Sequence, residues 1–314
     1  MARYIARRVG FLALTIVITS LVIFIVTQLL PGDVARVVLG REAGEEALAA
    51  FREANGLNDP LPVQYIRWLG NFVIGNWGTS LSTRSDILPV VTERLSNSLL
   101  LTAMTMIIAV PLAVLLGVVA GLNEDKLADN AISIGSLAVV GLPEFVTGLI
   151  LIQLLSRWLG WLPANSSITA DMPFREKLPM LILPALTATL VLLAYIIRLT
   201  RAGVVEEMKR PYVRTATLKG LPRRTVIIKH VLRNALLPTI TVIAISFGWL
   251  ISGLIVIENV FNYPGLGRLL VFAIDRRDLP LVQAVAMVTV VGFALANLAA
   301  DLMYAALNPR IRLG

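Results

Sequence analysis

The chain has 314 residues, of which 57% are hydrophobic and only 15% charged, with a mean hydropathy of +0.79. That balance excludes a soluble globular domain and describes a polytopic membrane protein. The absence of cysteine excludes disulfides and thiolate metal sites, and the net charge of +8 acquires its meaning from where the cations fall.

Six apolar runs are long enough to cross a hydrocarbon core of about 30 Å as helices. They lie at about 9–30, 97–121, 131–155, 178–200, 236–257 and 282–307. Strands of a membrane barrel would alternate in polarity instead, and these runs do not. Pro111, Pro143, Pro184 and Gly248 fall inside them, as membrane helices allow when neighbours satisfy the backbone. The first run follows Arg3, Arg7 and Arg8 like the start of a signal peptide. It is too long for such a core, and no small-x-small cleavage site precedes Pro31-Gly32-Asp33, so it is expected to stay as the first span.

Between the first two spans lies an insertion of some 65 residues. Glu42 to Asn55 reads as an amphipathic helix, Ala47, Leu48 and Phe51 opposing Glu45, Glu46, Arg52 and Glu53, with Gly56 placed to cap it. Leu57-Asn58-Asp59-Pro60 is a turn, Gln64 to Leu69 a short helix with interfacial aromatics, and Gly75 to Ser80 a second turn. This divides the chain into an N-terminal arm with the first span (1–30), an extracytoplasmic insertion (31–96) and a five-helix core (97–314).

With the N-terminus inside, the cytoplasmic pieces are the arm, 122–130, 201–235 and the tail after 307. With Arg198 at their edge they hold sixteen of the 28 Lys and Arg in the smaller share of the loops, the bias of cytoplasmic segments. Residues 201–235 alone carry nine. Within them Tyr212-Val213-Arg214-Thr215-Ala216-Thr217-Leu218-Lys219-Gly220-Leu221 is a polar helix ended by glycine, and Pro222 can open the next helix. Tyr212, Ala216 and Gly220 are four apart and share a face, whose two small residues would let a soluble partner approach closely.

After the fifth span, Glu258 to Arg268 mixes aromatics with turn residues. Pro264-Gly265 demands a tight turn, and Leu269 to Ile274 is apolar enough to lie against the membrane surface. Glu144, Arg198, Glu258 and Asp301 are charges at or within the spans. Such residues are functional candidates, but their nearness to span ends favours anchoring between helices. The lone histidine, His230, forms no metal cluster, and the zincin, serine-nucleophile and phosphate-loop motifs are all absent. A nucleotide driving transport would be bound by another chain.

Tyr212 to Leu221 followed by His230-Val231-Leu232-Arg233-Asn234-Ala235 resembles the cytoplasmic loop of ABC importer permeases of the dipeptide and oligopeptide group, specifically the first of the two permease subunits. The resemblance extends to Arg3 to Arg8, Pro31-Gly32-Asp33, Gly56-Leu57-Asn58 through Gln64-Tyr65, Glu258 and Phe261 with Pro264-Gly265-Leu266-Gly267, and Tyr304 to Arg312. It departs from the group at Val34 (often proline), Asn76-Trp77 (usually aspartate-leucine), Pro211 (often acidic) and Thr217-Leu218 (usually arginine-alanine). Of the broader permease loop motif only Ala216, Gly220 and Leu232 match.

The resemblance implies an all-α, six-span type I importer permease fold with both termini cytoplasmic. It also implies a second homologous permease subunit, two ATPase subunits that carry ATP and Mg, an extracytoplasmic substrate-binding protein, and residence in a bacterial inner membrane. No cofactor is expected in this chain and no nucleic-acid partner. The ATPase-coupling residues would be Tyr212, Arg214, Thr215, Ala216, Lys219, Gly220 and Leu221. The extracytoplasmic loop or gate would be Glu258, Phe261, Pro264, Gly265 and Gly267. The substrate would be a peptide or similar small polar solute. An ion-driven secondary transporter would want an inverted repeat and buried mid-span acids, and a passive scaffold only the two binding surfaces; both are alternatives.

Overall fold

A computed structural model describes residues 2–29, 34–40, 42–54 and 56–307; Pro31-Gly32-Asp33, Asn55 and the tail from Asn308 lie outside them. Among the described residues there is no strand, only an isolated antiparallel bridge between Thr79 and Asp86. The helices run α1 (Ala2–Leu29), α2 (Val34–Leu39), α3 (Glu45–Ala54), α4 (Leu61–Val73), α5 (Ile87–Leu122), α6 (Leu127–Val140), α7 (Glu144–Leu151), α8 (Phe174–Met208), α9 (Pro211–Leu218), α10 (Arg223–Thr225), α11 (Leu232–Ala235), α12 (Leu237–Gly253), α13 (Ile255–Val260), α14 (Leu266–Asp275) and α15 (Leu279–Leu307). Wider π turns continue α7 over Ile152–Trp158 and join α10 to α11 over Val226–Val231.

Four helices are long and apolar enough to cross a membrane unaided, those starting at Ile5, Ile87, Phe174 and Leu279. Two bent pairs raise the number to six if each is one span. The expected third run is not one straight helix: α6 and α7 meet at 104°. Gly141-Leu142-Pro143 breaks the run, and Pro143, which cannot donate to the preceding turn, becomes the residue from which α7 starts. By contrast α5 and α8 stay continuous across Pro111, Pro179 and Pro184. The fifth run also divides, α12 ending at Gly253 before the short α13. In the insertion the amphipathic helix is shorter than expected, Glu45–Ala54, and the aromatic one longer, Leu61–Val73. Gly56 takes φ +63° after α3, as expected of its cap.

The centre of the bundle is the crossing of α5 with α8. A Cβ at Gly117 would lie 2.5 Å from the Cβ of Thr200, so only glycine permits this approach. Around it Leu101, Ala109, Ala113, Leu181, Ala188, Ile196 and Ile197 form the main core, closed at one end by Phe261 and Tyr263. Peripheral α1 is pinned at both ends to α15, by Arg8 to Asp301 at 2.8 Å and by Gln283 Nε2 donating to Thr27 Oγ1 at 2.7 Å. Asp301 thus anchors helices, as its position suggested.

The insertion docks onto this frame by aromatic contacts and one carboxylate. Phe24 of α1 meets Tyr65 edge-on at 5.5 Å, and the rings continue through Trp68 and Phe72 to Trp77. Trp77 stacks on Phe72 at 5.0 Å and donates its indole N–H to the Phe72 carbonyl at 2.9 Å. That gives the Asn76-Trp77 departure a packing role. Buried Asp278, just before α15, accepts from Ser80 Oγ (2.5 Å), the Ser82 N–H (3.0 Å) and Ser82 Oγ (2.8 Å). Burial raises its carboxyl, but these donors outweigh burial and hold it below the usual aspartate value.

Candidate coupling and gate sites

The segment expected to couple lies at the end of the bundle where α8 overruns the core. Helix α9 starts at Pro211, whose missing N–H costs nothing at a helix start, and ends where Gly220 takes φ +77°. Val213 and Ala216 turn inward and join Val204, Val226, Val231 and Ala235 in a satellite core. This corrects the expected docking face, because Ala216 is 7% exposed and packs on its own chain. Its small side chain serves the seating of α9 on the π turn Val226–Val231 beside the end of α8. Gly220 has open space around it, so glycine is needed there for its backbone conformation rather than for close approach.

Tyr212 fastens this helix. Its hydroxyl donates to the Glu207 carboxylate at the end of α8 and accepts from Asn234 Nδ2 at 3.0 Å, with the His230 carbonyl at 3.3 Å. Burial, then Glu207, raises the phenol above its ordinary value and keeps it a donor. Arg214, Thr215, Lys219 and Leu221 are exposed. So is Leu218, at 79%, the most exposed side chain of α9 among its large hydrophobics. Sequence reasoning did not single out exposed Leu218, nor Glu207 and Asn234 as supports of Tyr212. Leu218, apolar between Thr217 and Lys219, was visible; the partners of Tyr212, five and 22 residues away, were not.

A second support lies beside it. Arg201 Nε and one terminal nitrogen each donate to Asp129 at 2.5 Å, a two-pronged pair whose carboxylate is 2% exposed. It ties the start of α6 to α8, and Lys209 reaches Glu124 at 2.8 Å a little further out. Arg201 had been counted only among the charges that set topology.

At the opposite end, Glu258, Phe261, Pro264, Gly265 and Gly267 are brought together into one compact turn. Glu258 is buried, and its Oε1 accepts from Ser98 Oγ of α5 at 2.6 Å while Oε2 accepts from the Arg268 N–H at 3.0 Å. Ser98 Oγ in turn accepts from the Leu266 N–H at 2.8 Å. Asn97 donates to the Pro264 carbonyl at 2.9 Å, and its own carbonyl accepts from the Tyr263 hydroxyl at 2.6 Å. A Cβ at Gly265 would sit 2.0 Å from Glu258 Oε1, and one at Gly267 2.6 Å from the Ile255 Cα. Both glycines are therefore imposed by the carboxylate and by α13. Burial pushes the Glu258 carboxyl up to about 7, against the lowering effect of Ser98 and the backbone donors. Phe261 fills the space beside Gly148 of α7, and its carbonyl accepts from the Ser166 N–H at 2.8 Å. The following segment, expected to lie on the membrane surface, is α14, and its Leu266, Leu269 and Ala273 are buried with Ile87, Val91, Leu281 and Val285.

Among the described residues no group of acids and histidine is arranged to hold a metal. A cleft of about 530 Å³ opens between the insertion and the start of α15, lined by Trp68, Asn71, Phe72, Trp77 and Gln283.

A helical bundle with apolar spans, a stapled helix exposed at one end and a fixed turn at the other has the build of a membrane permease subunit. The chain belongs to the family of binding-protein-dependent transport system inner membrane components: that family's model matches residues 113–313, and the model of its N-terminal region matches 1–102. It is 37% identical over 312 residues to the probable peptide ABC transporter permease protein y4tP of Sinorhizobium fredii, covering 99% of this chain and 100% of that one. It is 38% identical over 315 residues to the glutathione transport system permease protein GsiC of Salmonella paratyphi A, with 99% of each chain covered. The GsiC of Escherichia coli K12 is 36% identical over 312 residues, again with 99% of each covered. The chain is thus a multi-pass inner-membrane permease component of an ABC importer and not an enzyme; ATP is hydrolysed by separate subunits.

Proposed function

We propose that this chain crosses the inner membrane six times with both termini in the cytoplasm, and that it pairs with a second permease subunit above two ATPase subunits and beneath an external binding protein. The bent α6–α7 pair and the α12 run supply the third and fifth spans. The substrate is a peptide or similar small polar solute, a class supported by the peptide and glutathione permeases among its relatives. The observation that carries the coupling assignment is α9 itself. It is seated on the π turn Val226–Val231 by Val213 and Ala216 and stapled to the end of α8 by Tyr212, and it presents Leu218 outward among exposed Arg214, Lys219, Arg223 and Arg224. An exposed apolar residue within a cationic rim is the pattern of a contact surface, with burial at the centre and charge selecting the partner.

On this reading ATP closes the ATPase pair, α9 moves with it, and the spans re-pack to open outward. ATP and Mg stay on the partner subunits. The test is uptake by vesicles reconstituted with all subunits. ATP-dependent uptake that Leu218→Asp abolishes, with the permease still inserted, is the expected result. Uptake driven by an ion gradient without ATP would instead establish a secondary transporter. Single cysteines at Asn165 and Asn262 should react with an impermeant thiol reagent in intact cells, and one at Lys209 only after the membrane is opened. Labelling of position 209 from outside overturns the orientation.

A further inference from the structure

Among the four described helices long and apolar enough to cross a membrane unaided, α8 is the most enclosed, and the way its enclosure ends is informative. Pro184 and Ala188 are buried on the side that further along carries Tyr195. From Val191 onward that side opens, and Tyr195, Arg198, Ala202 and Glu206 stand exposed at helical spacing on one face, Tyr195 at 65%. The rest of its circumference is occupied: Ile197 and Thr200 meet Gly117 of α5, Arg201 pairs with Asp129, and Gly203 meets Ala235. Arg198 lies one turn deeper than the Asp129–Arg201 pair, and Tyr195 a further turn. Glu206 is engaged by Arg210 at 2.6 Å, and Arg198 has no hydrogen bond or ion pair among the described residues.

We propose that Tyr195 and Arg198 form an anion-binding step in the cytoplasmic half of the translocation pathway, and that its ligand is a carboxylate of the transported solute. The proposal rests on the permease topology given above. A guanidinium and a phenol on a span do not face hydrocarbon without a counter-charge or water. In the proposed pairing with a second permease subunit, the face of central α8 that its own chain leaves uncovered would be turned toward the pathway the two subunits enclose. Residues three apart on a helix are neighbours, so one carboxylate can receive two guanidinium N–H bonds and the phenol O–H. The opening of this face only below Val191 makes the step one met after the solute has passed the turn around Glu258.

The experiment compares ATP-dependent uptake of a radiolabelled alanine tripeptide with that of its C-terminal amide, in vesicles holding the complete transporter. The wild type should prefer the acid. Arg198→Gln should lower uptake of the acid roughly tenfold, the effect of losing one charge-assisted pair, and bring it to the level of the amide. Arg198→Lys and Tyr195→Phe should retain part of the preference. Co-purification of the second permease subunit and stimulation of ATPase activity by the binding protein should be unchanged. Equal uptake of acid and amide before and after Arg198→Gln overturns the proposal. Loss of the second permease subunit from Arg198→Gln overturns it in favour of a subunit contact. A wild-type preference that appears only in vesicles containing anionic phospholipid overturns it in favour of a headgroup contact. Wild-type vesicles that take up neither peptide with ATP refute the peptide-permease reading itself, a failure separate from these.

Discussion

Gly265→Ala tests whether the Glu258 carboxylate fixes the outer turn. The added methyl would lie 2.0 Å from Oε1 and 2.2 Å from Cδ, more than 1 Å inside ordinary contact. The carboxylate cannot retreat while Ser98 and the Arg268 N–H hold it at 2.6 and 3.0 Å. Gly265 has φ −104°, which alanine adopts freely, so the whole cost is steric and should be about 1–3 kcal/mol. Glu258→Ala alone leaves buried donors without an acceptor, at about 1–3 kcal/mol, and opens the space the methyl needs. In the Glu258→Ala background Gly265→Ala should therefore cost almost nothing, a coupling of about 1–3 kcal/mol between the sites. Thermal unfolding of the four purified proteins in one detergent measures it. Equal losses from Gly265→Ala in both backgrounds would refute the reasoning, because the clash would then lie with something other than Glu258.

The same carboxyl predicts a pH dependence. Raised from 4.5 to about 7, it gives stability that is fully present below 4.5 and lost as pH rises through 7, about 3 kcal/mol across that window; Glu258→Gln should remove the slope in a denaturation series from pH 4.5 to 8. Asp129→Ala leaves Arg201 without its partner and should cost about 3–5 kcal/mol, read as a lowered unfolding midpoint that Arg201→Leu in the same chain partly restores. Gly220→Val forces a β-branched residue to φ +77°, a strain of roughly 1–3 kcal/mol, and should abolish uptake at normal membrane levels; normal transport sinks the elbow assignment. Ala216→Trp should also release the ATPase subunits, by unseating α9 from Val204 and Val231 rather than by covering its outer face, so protease sensitivity of residues 211–221 should rise in the permease alone.

What the sequence made legible follows from the range of the forces involved. Apolar length decided the spans, and local backbone demands decided Gly56 and Gly220, since a positive φ after a helix is written in one residue. The break between α6 and α7 was not readable, because Pro143 is chemically the same residue as Pro111 and Pro184. Whether a proline breaks a membrane helix depends on neighbours that satisfy the freed carbonyl. The coupling segment was found by its polarity and glycine, yet the face assigned to Ala216 was wrong. A small residue serves equally to admit a partner or to seat a helix on its own chain, and only the positions of Val204, Val226 and Val231 separate the two. Glu258 and the two glycines were named together as a loop, but that the glycines answer to the carboxylate required coordinates, as did every pair reaching across the chain, Asp129 with Arg201 and Asp278 with Ser80 and Ser82 among them.

The two ends of the molecule are built on the same two helices. Helix α5, 36 residues and about 54 Å long, carries Asn97 and Ser98, which hold the Glu258 turn, and further along Gly117 and Gly121, which lie against α8. Helix α8 carries Arg201, Gly203 and Val204 to the seat of α9 and ends at Glu207, where Tyr212 is fastened. A glycine crossing packed this closely resists sliding, so on the proposed coupling a displacement of α9 would reach the outer turn by rotation of the α5–α8 pair as one unit rather than by bending within it. On the proposed topology the compliant elements are then those outside the pair, the 104° corner between α6 and α7 and the junction at Leu254 between α12 and α13. The turn around Glu258 touches both, through Phe261 on Gly148 of α7 and through α13 itself. On the proposed coupling that contact would give its rigidity a mechanical purpose: a loosely built turn would absorb a rotation that a tightly hydrogen-bonded one passes on.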